Sequence, residues 1–233
     1  MASLRLASEN AGPSSCPLGK GETMKLYGYW RSTSAYRVRI ALALKGITAE
    51  QAFVHLVRGE QKAEGYRELN PQGRVPTLVL DDGTVLTQSP AIVEYLEEVF
   101  PTPPLLPADP VARAKARAVA AIIGCDVHPL HNVGPLNYLR GPFGRSEEEV
   151  GGWITTWVEQ GLAAVEAMIG EEGYCFGASP GLADVYLIPQ LYAARRFAVP
   201  LDQHARIMRV EKLATKHAGF VAAHPSNQGD AAP

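Results

Sequence analysis

Two periodicities divide the chain. Over residues 24–100, short apolar runs of strand length alternate with stretches of helical spacing, whereas beyond residue 110 only the helical spacing persists. Lys25 to Tyr29 predicts a strand, Ser34 to Lys45 a helix stopped by Gly46, and Gln51 to Leu56 a second strand. A short helical piece precedes Asn70-Pro71. Thr77 to Leu80 and Thr84 to Leu86 flank Asp81-Asp82-Gly83 and predict a hairpin, because Asp-Gly accepts the positive φ angles of tight turns. Pro90 to Phe100 predicts a closing helix with proline in its first turn, where a missing N–H costs nothing. The order is therefore β-α-β-α-β-β-α. The proline-rich stretch from Pro101 to Pro110 cannot continue a helix and reads as a stiff connector. From Val111 to about Phe220, Ala, Leu, Ile and Val recur at helical spacing, which predicts an all-helical unit. The expected organisation is a leader or tag over 1–23, an α/β unit over 24–101, a linker over 102–110 and a helical unit over 111–233.

Composition adds mainly exclusions. A length of 233 residues suits one large or two small domains. The 22 Lys+Arg against 24 Asp+Glu leave a net charge of −2, with no chain-wide basic footprint for nucleic acid or anionic membrane. Cys16, Cys125 and Cys175 are odd in number, far apart and form no CxxC pair, so neither a disulfide framework nor a metal site is expected. A reducing, cytoplasmic setting fits them. No apolar run approaches the roughly 18 residues that span a bilayer.

Three helix starts carry hydroxyl or carboxylate groups. Ser32, Thr33 and Ser34 stand between the first strand and first helix, and Gln88-Ser89 stand directly before Pro90. Each reads as a cap, and each also offers free N–H groups and a dipole that favours an anion. Asp184, at the third position of a strongly apolar helix, is placed to satisfy N–H groups at its amino end, although Gly181 holds the usual Ser/Thr cap position. Tyr29 and Tyr36 read as packing residues, and Cys125 and Cys175 as buried small apolar side chains.

The segments Tyr29-Trp-Arg-Ser-Thr-Ser-Ala-Tyr-Arg-Val-Arg, Asn70-Pro-Gln-Gly-Arg-Val-Pro76, Gln88-Ser-Pro-Ala-Ile-Val-Glu94, Leu105-Leu-Pro-Ala-Asp-Pro110, His128-Pro-Leu-His-Asn132, Ala183-Asp-Val-Tyr-Leu-Ile-Pro-Gln190, Arg196-Phe197 and Ala223-His-Pro225 occur in this order. Together they resemble the zeta class of glutathione transferases, which includes maleylacetoacetate and maleylpyruvate isomerases. The likeness covers nearly all of Met24 to Pro225. It implies a thioredoxin-like β-α-β-α-β-β-α domain followed by an all-helical domain, a homodimer, and glutathione as cofactor. The implied activity is cis-trans isomerisation of a small dicarboxylate, maleylacetoacetate or maleylpyruvate, to its fumaryl isomer by thiolate addition, rotation and elimination in aromatic degradation. Two alternatives share the fold: a transferase acting on small α-haloacids, and a non-catalytic binding module.

The resemblance assigns Ser32, Arg31 and Arg196 to catalysis, with Arg195 the confounder for Arg196. It assigns Ser32, Thr33, Ser34, Gln61, Val75, Gln88, Ser89, His128 and Asn132 to glutathione. Ser32 matches the first serine of the family's Ser-Ser-Cys, while Thr33 and Ser34 replace the second serine and the cysteine, so no protein thiol stands there. Val75-Pro76 is expected to be cis. Gly134 stands where some isomerases carry a further basic residue, which leaves one carboxylate contact missing. A free thiol near pKa 8.5 is about 3% ionised at neutral pH, and lowering that value by roughly two units needs about 2.7 kcal/mol. A helix start supplies about 0.3–2 kcal/mol and a hydroxyl-to-anion hydrogen bond about 1.5–3, so the two together suffice.

Overall fold

A computed structural model describes residues 24–231. In its first half β1 (Lys25–Gly28), α1 (Thr33–Leu44), β2 (Glu50–Phe53), α2 (Glu64–Leu69), β3 (Thr77–Val79), β4 (Val85–Thr87) and α3 (Ser89–Val99) follow the expected order. The sheet runs β2-β1-β3-β4, with β1 parallel to β2 and antiparallel to β3, and β3 antiparallel to β4. Leu26 and Leu78, paired across the two central strands, are fully buried and share one core with Val38, Ile40, Ile92 and Leu96. α1 shows no amphipathic stripe because it packs against α3 on one side and against two helices of the second half on the other.

Two local expectations change. The second strand ends at Phe53, not Leu56, because the His55 ring accepts the N–H of Arg58 and turns Leu56–Arg58 into a 3-10 helix. In the hairpin only Gly83 takes a positive φ, 84°; Asp82 instead accepts the Thr84 N–H through its side chain at 2.8 Å.

The second half is helical: α4 (Pro110–Ala121), α5 (Val133–Arg140), α6 (Glu147–Met168), α7 (Leu182–Arg196), α8 (Ala205–Ala214) and α9 (Ala218–Ala223). Asp109 caps α4 by accepting the Ala112 N–H at 2.8 Å, and Ser146 and Glu149 form a reciprocal capping box on α6. A π-helical turn, Ile122–Val127, and a 3-10 turn, His128–His131, continue α4. α6 passes this turn so closely that a Cβ on Gly161 would lie 2.0 Å from Val127 Cγ2. Ile123 and Val127 take the buried positions of the π turn, which leaves Cys125 exposed and overturns its expected burial. Cys175 is buried as expected, and burial beside Asp184 pushes its thiol far above the usual range.

The connector is stiff for a reason its prolines do not reveal. Buried Lys45 donates through Nζ to Glu97 Oε2 at 2.6 Å and to the carbonyls of Phe100 and Pro103, while Glu97 accepts the N–H groups of Leu105 and Leu106. Leu105 then accepts the Leu182 N–H at 2.7 Å, which ties the connector to the start of α7. A Cβ at position 181 would lie 2.8 Å from the Leu105 carbonyl oxygen, so glycine replaces the usual hydroxyl cap there. Asp184 performs the other half of the cap, accepting Gly181 N–H at 2.8 Å and Cys175 N–H at 2.9 Å. Asp184→Ala leaves both buried donors without acceptors and should cost about 3 kcal/mol in urea unfolding. A loss under about 1 kcal/mol would contradict that account.

Candidate active site

Strand directions assemble the site. β1 and β2 are parallel, and β4 runs with β1 because β3 opposes both. The loop after β1, the loop after β2, the loop before β3 and the end of β4 therefore meet at one edge of the sheet. They carry Arg31-Ser32, Gln61, Val75-Pro76 and Gln88-Ser89 respectively. Residues far apart in sequence thus come together without any strand leaving its ladder.

Ser32 is the N-cap of α1, its Oγ accepting the Ala35 N–H at 3.2 Å. Thr33 and Ser34 supply helix-terminal N–H groups that have no intrahelical acceptor. Thr33 is buried and Ser34 half-buried, so the helix start is screened from bulk water, where its dipole acts more strongly on an anion. Val75-Pro76 is cis, as the resemblance implied. Tyr66 and Asn70 both donate to the Arg74 carbonyl, at 2.7 and 2.8 Å, and to or with Thr77 Oγ1, which fixes the loop on either side of Val75. Val75 packs with Tyr29 and Tyr66 in a small second core, and Tyr29 and Tyr36 are packing residues as expected.

Gln88 adopts φ 68°, a left-handed value for a non-glycine residue, immediately before buried Ser89 at the start of α3. Its side-chain amide donates to Gln72. Gln61 lies against Gly73, where φ is 61° and a Cβ would be 2.8 Å from the Gln61 carbonyl oxygen. The Gln61 Oε1 atom is buried without a partner, an acceptor awaiting a donor. This rim accordingly presents helix-start donors for a carboxylate.

The helical half contributes from above. His128 opens the 3-10 turn after the π turn, and Asn132 caps α5, its Oδ1 accepting the Val133 N–H at 2.8 Å. Burial, followed by the positive fields of Arg37, His131 and Arg74, holds His128 well below its ordinary value of 6.5, so the ring is neutral. Burial lowers His131 as well, with its bond to Gln190 working the other way. The unfolded chain takes up protons below about pH 6.5 while these folded rings resist, so their contribution to stability is complete above 6.5 and drains as pH falls below it. Urea midpoints should fall between about pH 7.5 and 5.5, and His128→Gln should flatten that fall by up to about 1.4 kcal/mol per pH unit. Parallel slopes in the two proteins would contradict the assignment.

Arg196 and Arg195 separate cleanly. Arg195 donates from Nε to Glu211 Oε1 at 2.9 Å and is committed to an ion pair. Arg196, in the last turn of α7, lies by the rings of Tyr192 and Phe197. Burial, and after it the positive field of Arg31, lower its pKa. Among the described residues neither has a carboxylate partner. Two cations without carboxylate partners suit two carboxylates of one ligand. Gly134 on α5 faces open space, so nothing replaces a basic group there. Gln72, Arg74 and Arg37 were not singled out from sequence. Arg37 is buried on the face of Tyr186, its Nε and Nη2 lack partners, and burial lowers it to about 10. Surface arginines and glutamines share their sequence signature, so only the fold distinguishes them.

A thioredoxin-like sheet whose loop edge is roofed by a helical unit, with a serine at the first helix start and a serine at the third, has the architecture of a glutathione transferase. Comparison with known proteins agrees: the glutathione S-transferase N-terminal domain matches residues 31–99 and the C-terminal domain residues 156–216. A maleylacetoacetate isomerase from Pseudomonas aeruginosa is 60% identical over 209 residues, covering 89% of this chain and 98% of that protein. The holo structure of a maleylpyruvate isomerase, a bacterial zeta-class enzyme, superposes with TM-score 0.87 at 46% identity, covering 89% of this chain and all of that one. A maleylacetoacetate isomerase from Anaeromyxobacter dehalogenans, solved with bound dicarboxyethyl glutathione and citrate, superposes with TM-score 0.83 at 40% identity over 92% of this chain and 96% of its own. The chain belongs to the glutathione S-transferase family, on its zeta-class isomerase branch.

Proposed function

We propose that this protein is a glutathione-dependent cis-trans isomerase converting maleylacetoacetate or maleylpyruvate to the fumaryl isomer. The observation that carries this reading is the serine-capped start of α1, followed in the helical half by an Arg196 that has no carboxylate partner among the described residues and feels the positive field of Arg31. When bound, glutathione supplies a nucleophilic thiolate that is returned unchanged at the end of turnover. Ser32 donates its hydroxyl to that sulfur, and the N–H groups of Thr33 and Ser34 add the field of the helix start, which together hold the sulfur ionised. The Val75 backbone pairs with the peptide's middle, Gln88 and Ser89 hold its amino-acid end at the start of α3, and Gln61, His128 and Asn132 hold its far end. The helix-start donors at Ser89 support this placement. A neutral His128 accepts or donates one hydrogen bond without adding a third positive charge to the site.

Arg31 and Arg196 would clamp the two carboxylates of the substrate. They also offset negative charge that gathers on the substrate's oxygens during rotation, which is where stabilisation lowers a barrier. The described helices include none long and apolar enough to cross a membrane; a cytoplasmic enzyme of aromatic catabolism is supported by the resemblance to maleylacetoacetate isomerases. The division at 24–101, 102–110 and 111–233 is supported by the two matched family segments, and a homodimer by the family resemblance. Light scattering on the purified protein tests the dimer.

Mixing the enzyme with maleylacetoacetate or maleylpyruvate and glutathione should yield the trans product by proton magnetic resonance with no net loss of glutathione. Absence of trans product, or stoichiometric consumption of the thiol, would remove the assignment.

A further inference from the structure

We infer that Asp230, at the far end of the chain, is a positioning residue for the candidate active site, holding the loop that carries Arg31 and Ser32. The inference rests on the isomerase reading only for what that loop does, not for how it is held. The Trp30 N–H donates to Asp230 Oδ2 at 3.0 Å across 200 residues of sequence. The carbonyl of the same residue accepts from Arg39 Nη2 at 3.0 Å, and the Tyr29 carbonyl accepts from Arg39 Nη1 at 3.4 Å. Trp30 is thus gripped at both its N–H and its carbonyl by opposite charges. The carboxylate also acts on Arg39, opposing the burial that lowers this guanidinium to about 10.

The grip is anchored elsewhere in the fold. Arg39 Nε donates to the Ala223 carbonyl at 3.1 Å, which fixes the guanidinium against the end of α9. Asn227 and Gln228 donate to the carbonyls of Val221, Ala222 and His224, so the segment leading to Asp230 is strapped onto α9. Gly229 then passes flat against Phe53 at the end of β2, where a Cβ would lie 3.2 Å from Cζ. The tail therefore spans from the helical half to the thioredoxin-like half at the loop after β1.

What the loop holds makes this grip matter. The Arg31 guanidinium lies 5.1 Å from the Trp30 ring centre, and the turn closes through Ser32 N–H to the Tyr29 carbonyl at 2.9 Å. Fixing the Trp30 peptide fixes both the carboxylate-binding cation and the serine that follows it. The other Asp230 oxygen, Oδ1, is buried without a partner, so the carboxylate's own anchorage rests on the Trp30 N–H. A carboxylate kept in such a place by one charge-assisted bond is a device for holding that N–H rather than a solvated surface charge.

The experiment compares wild type, Asp230→Ala and Asp230→Asn in the full-length protein. Hydrogen exchange at the Trp30 amide, read by mass spectrometry or magnetic resonance, should quicken about tenfold or more in D230A and return toward wild type in D230N, which keeps an acceptor. In D230A, kcat/KM should fall about tenfold, mostly through KM for the dicarboxylate, with the melting temperature shifted by only a few degrees. Unchanged exchange at Trp30 overturns the inference, and so does quickened exchange with unchanged kcat/KM. If wild type binds glutathione but does not isomerise, the functional reading falls on its own. Thiolate absorbance and glutathione affinity in D230A then decide the positioning role, and values equal to wild type overturn it.

Discussion

Ser32→Ala should lower kcat/KM for the isomerisation about a hundredfold, while the melting temperature falls by only a few degrees. The two effects have separate sources. A hydroxyl hydrogen bond to a thiolate is worth about 1.5–3 kcal/mol, which corresponds to roughly tenfold to 150-fold in rate if it forms with the ionised sulfur. Its loss should raise the pKa of the bound thiol by about one to two units. The stability cost is that of one N-cap, about 1 kcal/mol, because Ala35 N–H loses the acceptor that it finds in Ser32 Oγ. The free N–H groups of Thr33 and Ser34 remain, so the variant keeps part of its anion site. Ultraviolet titration of the thiolate in the two proteins is the direct measurement. Equal pKa values would show that the helix start alone ionises the sulfur and that Ser32 is a cap and nothing more.

Arg196→Ala should also cost about a hundredfold in kcat/KM, whereas Arg195→Ala should stay within about threefold. A bidentate guanidinium–carboxylate pair in a screened site is worth several kcal/mol, but part of that is spent bringing Arg196 near Arg31. Removing Arg196 relieves that repulsion, so the observed loss is smaller than the gross interaction. If the contact is equal in ground and transition states the loss appears in KM. If it strengthens as charge gathers on the substrate, it appears in kcat. Arg195 is already neutralised by Glu211, which is why its removal should affect stability slightly and turnover hardly at all. Comparable losses in both variants would mean that α7 has been perturbed as a whole and that neither arginine binds substrate.

Much of the architecture was readable from local chemistry. Strand and helix order followed from the change in period near residue 110, from Pro90 in the first turn of a helix, and from Asp-Gly at the hairpin, whereas Pro110, read as the end of the connector, opens α4. Ser32 could be marked as a cap because a hydroxyl before a helix has a local function wherever it occurs, whereas Ser89 is the first residue of α3 and Gln88 before it makes no side-chain cap bond. The errors were also local in origin. Leu56 was assigned to a strand by its apolarity, yet a histidine side chain diverted the backbone into a 3-10 turn. Cys125 was assigned to the core by residue type, yet a π turn rotated it outward, and no pattern of apolar positions announces a π turn.

The sequence by itself determined the elements, the helix starts that can hold an anion, and the kinship that gives those starts a ligand. Tertiary structure decided which cations are free. Arg195 and Arg196 are neighbours with identical chemistry, and only the position of Glu211 on α8 neutralises one and leaves the other by the rings of Tyr192 and Phe197 without a carboxylate partner among the described residues. It also decided that Asp230 meets Trp30, a pairing 200 residues long for which no local signal exists. The physical reason is that periodicity and capping act within a few residues, whereas pairing of charges and burial of a side chain depend on what distant segments bring alongside.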